Sequence, residues 1–181
     1  FQAEDREDLQ NWLRNQPLVA QHPKHGFLLV HAGISPQWDL ATTLACAREV
    51  EKTLRSEHYA DYLAQMYESQ PDYWRADLTG IARWRYCVNV FTRMRFCYAD
   101  GRLDFACKSP IEEAPKELLP WFALDNPLYE QTPIIFGHWA SLMGKANRKN
   151  IYALDTGCAW GQYLTMLRWE DKQLFTQPRL K

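Results

Sequence analysis

Three short apolar runs in this chain end in the same way. Residues 27–30 run into His31 and then Ala32-Gly33, residues 134–136 run into Gly137-His138, and residues 151–154 run into Asp155-Thr156-Gly157. A continuous apolar run of this length reads as a buried strand, covered on both faces. The strand delivers its terminal polar residue to one rim of a sheet. The neighbouring glycine lets the backbone turn there and come close to a ligand. In sheets of this kind ligands bind at the carboxyl ends of the strands. The three segments therefore predict an α/β fold in which His31, His138 and Asp155 share a rim. A single strand-end histidine is more often structural, and two in the same context leave a structural role and a site as equal readings. Two imidazoles alone remain a poor hydrolytic metal centre. Such a centre needs bridging carboxylates between ions about 3.5–4 Å apart, and the chain has no clear Asp-x-His pair to supply them.

The rest of the chain surrounds these strands with helices and a hairpin. Residues 4–15 read as a helix, with Leu9, Trp12 and Leu13 on one stripe, acids in the first turn and Pro17 as the stop. Asp39 is an expected N-cap for a helix carrying Leu40, Leu44, Ala47, Val50 and Leu54 on one face. A further helix with Tyr59, Leu63, Met66 and Tyr67 on a stripe ends before Pro71. This helical block, residues 38–85, lies between strands and reads as a cap or insert. Around residues 93–108 the period changes to two. Asp100-Gly101 predicts a type I′ hairpin that pairs Phe96 with Phe105. Residues 109–127 are rich in proline and read as a connector. Four closely spaced strands follow, in "PIIFGHWA", "IYALDTGCAWG", "YLTMLRW" and "KQLFTQP".

Composition narrows the classes further. At 181 residues, 46% hydrophobic, the chain can bury one substantial core, and no repeat, low-complexity run or internal boundary divides it. A net charge of −1 gives no polybasic surface for general nucleic-acid binding. No apolar stretch approaches a membrane span, and no signal peptide is visible. The five cysteines, at 46, 87, 97, 107 and 158, include no Cys-x-x-Cys pair. That argues against a disulfide framework or a zinc ribbon and favours a reducing cytoplasm. They are most simply small buried hydrophobes. His22, His25 and His58 sit in polar surroundings and carry no expected role.

Four segments, "VHAGISPQWDL", "FTRMRF", "FGHWASLMGK" and "IYALDTGCAWG", resemble the bacterial symmetrical diadenosine tetraphosphatases. These belong to the calcineurin-like metallophosphoesterases, in the branch shared with phosphoprotein phosphatases. The likeness runs in order through "LRWEDKQ". It implies a four-layer αββα sandwich, a dinuclear site and hydrolysis of diadenosine tetraphosphate to two ADP by metal-activated hydroxide. The histidine of the family's His-Ala-Gly motif falls on His31 and that of its Phe-Gly-His motif on His138, both as ligands of one metal. Neutral imidazole is a good ligand for Mn, Co, Fe or Zn, and the resemblance implies two divalent ions per full site, Mn or Co first, with Fe, Zn or Mg as further candidates. The family's Gly-Asp-x-His-Gly, Gly-Asp-x-x-x-Arg-Gly and Gly-Asn-His-Asp motifs do not occur here. They are expected upstream of Phe1, so residues 1–181 resemble the C-terminal two-thirds of such an enzyme and hold half of its metal site. An apolar face bared by that division would promote self-association.

The resemblance also asks for a cationic fork near the developing phosphoryl charge. Arg93 and Arg95, two apart, would share a face if they lay on a strand. Lys145, with Arg148 and Lys149, could steer a polyphosphate. Trp38, Trp139 and Trp160 each lie near one of the three strand-end motifs and could stack adenine. Asp155 could orient a ligand histidine or simply cap a turn. The expected partner is therefore a dinucleoside polyphosphate, with neither nucleic acid nor membrane, and the sequence leaves the oligomeric state open. Two other readings are weighed beside this one: a bacterial phosphoprotein phosphatase of the same superfamily, and a non-catalytic binding module on the same fold. The second would suit a chain that turns over nothing alone.

Overall fold

The computed structural model describes residues 3–180; Phe1, Gln2 and Lys181 lie outside the described residues. Helix α1 (Arg6–Arg14) leads to strands β1 (Val19–Gln21) and β2 (Leu28–Val30). Helices α2 (Leu40–Arg55), α3 (Tyr59–Gln65) and α4 (Gly80–Arg93) follow. Next come β3 (Phe96–Tyr98), β4 (Leu103–Asp104), β5 (Leu118–Pro120) and the short helix α5 (Pro127–Gln131). The chain closes with β6 (Ile134–Phe136), β7 (Ile151–Ala153), β8 (Asp155–Thr156), β9 (Tyr163–Arg168) and β10 (Gln173–Pro178). The mixed α/β class expected from the sequence is the one observed.

The central sheet has the order β1-β2-β6-β7. Strands β2, β6 and β7 are parallel, with Val30 opposite Phe136 and Phe136 opposite Ala153; β1 runs antiparallel at one edge. Two further sheets, β4-β3-β5 and β10-β9-β8, are antiparallel. Helices α2 and α4 pack together beside them, and Asp39 caps α2 by accepting from the Thr42 amide at 2.7 Å. The buried cluster is strongly aromatic. Trp121 sits edge-on to Tyr129 and Phe136, and Phe96 sits edge-on to Trp139 at 4.7 Å between ring centroids.

Several local expectations are corrected. The turn at Asp100-Gly101 is not type I′. Gly101 donates to the Tyr98 carbonyl and has φ +90°, while Tyr98 donates to the Arg102 carbonyl. This is a three-residue loop with glycine in the left-handed bulge position. The extra residue slips the register by one, so Phe96 pairs with Asp104 and Phe105 lies under the Arg93 guanidinium. Residues 109–127 contain a strand, β5, which completes the sheet on β3. Residues 80–93 form a helix that the sequence reading did not identify, because residues 86–91 are buried all round and show no amphipathic stripe. The expected inward stripe of α3 is replaced by Tyr62 alone; Tyr59, Leu63 and Tyr67 are exposed. Helix α1 buries none of its residues. Strand β2 buries Leu28 and Val30 but leaves Leu29 44% exposed, so one face of a run apolar on both sides lies open.

The loop after β2 is fixed from several directions. The Ala32 amide donates to the Phe91 carbonyl, the Tyr129 hydroxyl to the Ile34 carbonyl, and the Asn126 amide group to the Trp38 carbonyl. Gly33 lies flat against the Trp121 indole, where a Cβ would come within 2.7 Å of ring carbon. A rigid, fully buried indole cannot swing aside. Gly33→Ala is therefore expected to cost about 1–3 kcal/mol through overpacking, read as a Tm lowered by roughly 2–10 °C for a domain of this size. An unchanged Tm in differential scanning calorimetry would show that Trp121 can give way.

Candidate functional site

The parallel register decides which residues meet. Beyond the paired Val30, Phe136 and Ala153, the next rank holds His31, Gly137 and Leu154; the Gly137 amide donates to the His31 carbonyl at 2.9 Å and Leu154 to the Phe136 carbonyl at 2.8 Å. One step further are His138 and Asp155. The His31 and His138 rings lie 5.0 Å apart between centroids, inclined at 54°. They border an open depression of about 520 Å³ that also reaches Asp155 and the Leu29 face.

His138 is held in an unusual backbone state. Its φ is +63°, and the flanking Trp139 amide donates to the Gly137 carbonyl at 2.6 Å, closing a γ-turn around it. A non-glycine residue in this region costs about 1–3 kcal/mol and persists only where its surroundings fix it. Two contacts do so. His138 Nε2 lies 3.2 Å from the Arg93 carbonyl, and Arg95 reaches the His138 carbonyl. With Nε2 donating to that carbonyl, Nδ1 keeps its lone pair.

Both histidines are held uncharged near neutral pH. Burial pulls the His138 pKa down to about 4, helped by the neighbouring Arg95 and His31 and opposed by the Arg93 carbonyl and Asp155. His31 is lowered by partial burial and by Arg95, against the pull of Asp155. Burial likewise lowers the Arg95 guanidinium, while Asp155 favours its charge. Asp155 accepts from the Gly157 amide at 3.0 Å and so closes the turn after β7.

Two neutral imidazoles so placed fit a divalent transition metal. With metal–nitrogen bonds of about 2.0–2.1 Å, rings sharing one ion have centroids roughly 5 Å apart, the spacing observed. The backbone carbonyl on His138 Nε2 supplies the outer contact typical of a ligand histidine. Among the described residues no group of three or more His, Cys, Asp or Glu side chains gathers around an ion position. By itself the pair offers two donors, fewer than a divalent metal centre needs.

The other sequence candidates separate clearly. Arg95 is at the rim. Arg93 is not on its strand; it ends α4, and its guanidinium turns away to Asn89 Oδ1 at 2.8 Å and onto the Phe105 ring. It touches the site only through its carbonyl. Trp38 and Trp139 are 1% and 2% exposed, committed to the core and without a free face for a base. Trp160 is 82% exposed, and Lys145 is exposed. Arg148 is structural, donating to the carbonyls of Phe122 and Leu124 and pairing with Glu130. The sequence reading missed the apolar floor of the depression at Leu29; its signal was the unbroken apolar run that needs cover on both faces.

The fold and the strand-end pair define a mixed α/β protein with its candidate site at the carboxyl ends of parallel strands. A solved crystal structure named provisionally as a diadenosine tetraphosphatase matches it with a TM-score of 0.52 at 18% identity, over 96% of this chain and 55% of that one. Protein-family models give no match. Curated relatives do. A protein of Actinobacillus pleuropneumoniae serotype 5b is 75% identical over 181 residues, all of this chain and 67% of the relative. One of Glaesserella parasuis is 73% identical over 180 residues, and one of Haemophilus influenzae 59% identical over 181, each match covering 66% of the relative. All three are named bis(5'-nucleosyl)-tetraphosphatase, symmetrical. The chain belongs to this symmetrical bis(5'-nucleosyl)-tetraphosphatase family, and it spans about two thirds of the length of these relatives.

The depressed His138 pKa has a consequence for the metal-free protein. The unfolded chain binds a proton near pH 6.5 and the folded one only near 4. Between those values the unfolded state holds more protons, so stability falls as pH drops through this window. Urea titrations at pH 7 and pH 5 are expected to show that loss. His138→Asn should reduce it; an equal loss in the variant would place its origin elsewhere.

Proposed function

We propose that this chain supplies one metal-binding half of a hydrolase that cuts diadenosine tetraphosphate into two ADP. The observation that carries the reading is the neutral His31–His138 pair at adjacent parallel strand ends, with Arg95 beside it. The relatives' names support the dinucleotide substrate over a phosphoprotein.

His31 and His138 would hold a divalent metal; the family likeness favours Mn or Co, with Fe, Zn or Mg as further candidates, and the imidazole donors by themselves suit Fe or Zn better than Mn or Mg. When bound, two such ions polarise a phosphoryl oxygen and make water nucleophilic near neutral pH. The chain's own groups do the rest. Arg93, through its carbonyl, holds the His138 ring by Nε2 and would leave the Nδ1 lone pair available to a metal. Arg95 offsets negative charge growing on phosphoryl oxygens in a partly dehydrated site. Asp155 fixes the adjoining turn and tempers the positive field of Arg95. Trp160 is the one exposed tryptophan of the three candidates and offers a face for adenine. Lys145 draws polyphosphate toward the rim. The helical block of residues 38–85 would act as a cap within a single domain. Five free cysteines suit a reducing cytoplasm, and no helix among the described residues is long and apolar enough to cross a membrane.

The test is ADP release from diadenosine tetraphosphate with Mn, in the protein carrying the relatives' full length. Arg95→Ala should lower kcat/KM by about 10²–10³, whereas Arg93→Ala should leave it within roughly threefold. Equal losses would reject the assignment, and preferential turnover of a phosphopeptide would reject the substrate. The 181-residue chain alone should show no turnover. Activity that His31→Ala abolishes would mean that its own carboxylates or a second copy complete the centre.

A further inference from the structure

Two cysteines meet inside the helical block, outside the histidine site. Cys46 on α2 and Cys87 on α4 are both fully buried. The Cys87 thiol hydrogen-bonds to the Cys46 sulfur. Arg83, one turn before Cys87, donates through Nη2 to the same sulfur at 3.7 Å. Glu49 accepts from Arg83 Nε and Nη2 at 2.7 and 3.2 Å and so fixes the guanidinium in place. The carboxylate is the wetter end of that ion pair, its side chain 41% exposed against 18% for Arg83. Tyr62 of α3 completes the cluster. It is buried, its hydroxyl has no hydrogen-bond partner, and burial and Cys87 together hold its pKa up. Two neutral thiols in an apolar core need no cation. A guanidinium donating to sulfur suits a sulfur that carries negative charge, and thiolate is the form of cysteine that binds metals.

We propose that Cys46 and Cys87 form a two-coordinate thiolate site for a soft monovalent cation, Cu(I), which on binding ties α2 to α4. Soft sulfur ligands select Cu(I) among the first-row metals. A monovalent d¹⁰ ion is satisfied by two ligands in line, so the pair needs no third donor from its surroundings. With sulfur–metal bonds of about 2.3 Å, as for zinc, the two sulfurs stand roughly 4.6 Å apart, a small widening of the hydrogen-bonded pair. Binding exchanges two protons for one ion. Both thiols lose their proton to solvent, and two sulfur–copper bonds form with no change of oxidation state. Two thiolates and one Cu(I) leave one net negative charge in the core, and Arg83 stands against it. A cavity of about 500 Å³ between α2, α3 and α4 reaches Glu49, Tyr62 and Trp84, the outer neighbours of the pair. Helix α3 is fastened there by one buried side chain, Tyr62, and its outward motion gives the ion a way in. The inference is independent of the histidine pair and of the hydrolase reading.

The experiment titrates Cu(I) into this chain without oxygen, against the competing chelator bathocuproine disulfonate, and records X-ray absorption at the copper edge. One Cu(I) per chain is expected, held by two sulfurs and no nitrogen. Cys46→Ser and Cys87→Ser should each lower the affinity about tenfold or more, and Arg83→Gln about tenfold, with unchanged circular dichroism. Cys107 and Cys158 are the two partly exposed thiols. Cys107→Ser combined with Cys158→Ser should bind Cu(I) as before, and so should His31→Asn. Loss of binding in the double variant would assign the copper to the surface thiols, and loss in His31→Asn would assign it to the rim; either overturns the proposal. Three sulfurs, a nitrogen ligand or no binding at all overturns it as well. If a serine variant at Cys46 or Cys87 fails to fold, adding Cys97→Ala to the double variant leaves Cys46 and Cys87 as the only cysteines. A retained two-sulfur spectrum then supports the site, and its loss rejects it.

Discussion

The parallel register of β2, β6 and β7 is the constraint on which the site depends. Pairing Val30 with Phe136 and Phe136 with Ala153 places His31, Gly137 and Leu154 in one rank and His138 and Asp155 just beyond. A one-residue slip would turn each strand's side chains to the opposite face. Leu28, Val30, Ile134, Phe136 and Ala153 are all at most 7% exposed, so a slip would drive core residues into water. At roughly 25 cal/mol per Å² of apolar surface, several such side chains outweigh any preference of the rim. The backbone positions of the histidine pair are therefore set by core packing before a ligand arrives.

Electrostatics then sets what that geometry can do. Arg95 stands close enough to lower both imidazole pKa values and is itself destabilised by burial. A cation beside neutral donors is a poor arrangement unless an anion is expected. Asp155 supplies part of that negative charge, and a phosphoryl group would supply more. The left-handed backbone at His138 fits the same picture. Its strain is held by the γ-turn, by the Arg93 carbonyl and by Arg95, all of which also aim the ring.

The three strand ends and their convergence were legible in the sequence, because strand period, apolar run and glycine placement all act locally. The Asp39 cap was legible for the same reason. What escaped was set by tertiary context. Helix α4 carries six consecutive buried residues, so its period vanishes, and Arg93 was consequently given a strand neighbour's orientation. The loop at Asp100 gained a residue because glycine took the bulge position rather than the second place of a tight turn. Trp38 and Trp139 lay close in sequence to the strand ends but were needed by the core. Sequence proximity reports where a backbone passes and is silent on which side its indoles face.

The chain nonetheless holds a complete core on one side of its central sheet. Among the described residues thirty-one buried ones form one hydrophobic cluster from Val19 to Ala153, while Leu29 on the other side of β2 meets solvent. The imbalance explains how the histidine rim can be ordered while one face of the sheet lies open. The backbone after His31 is fastened by the Phe91 carbonyl that receives the Ala32 amide, and the His138 ring by the Arg93 carbonyl, both from the end of α4. The open side contributes nothing to that fastening. A ligand added there would meet a His138 ring already neutral and already held by the Arg93 carbonyl, so less of its free energy of binding would be spent on ordering that side chain.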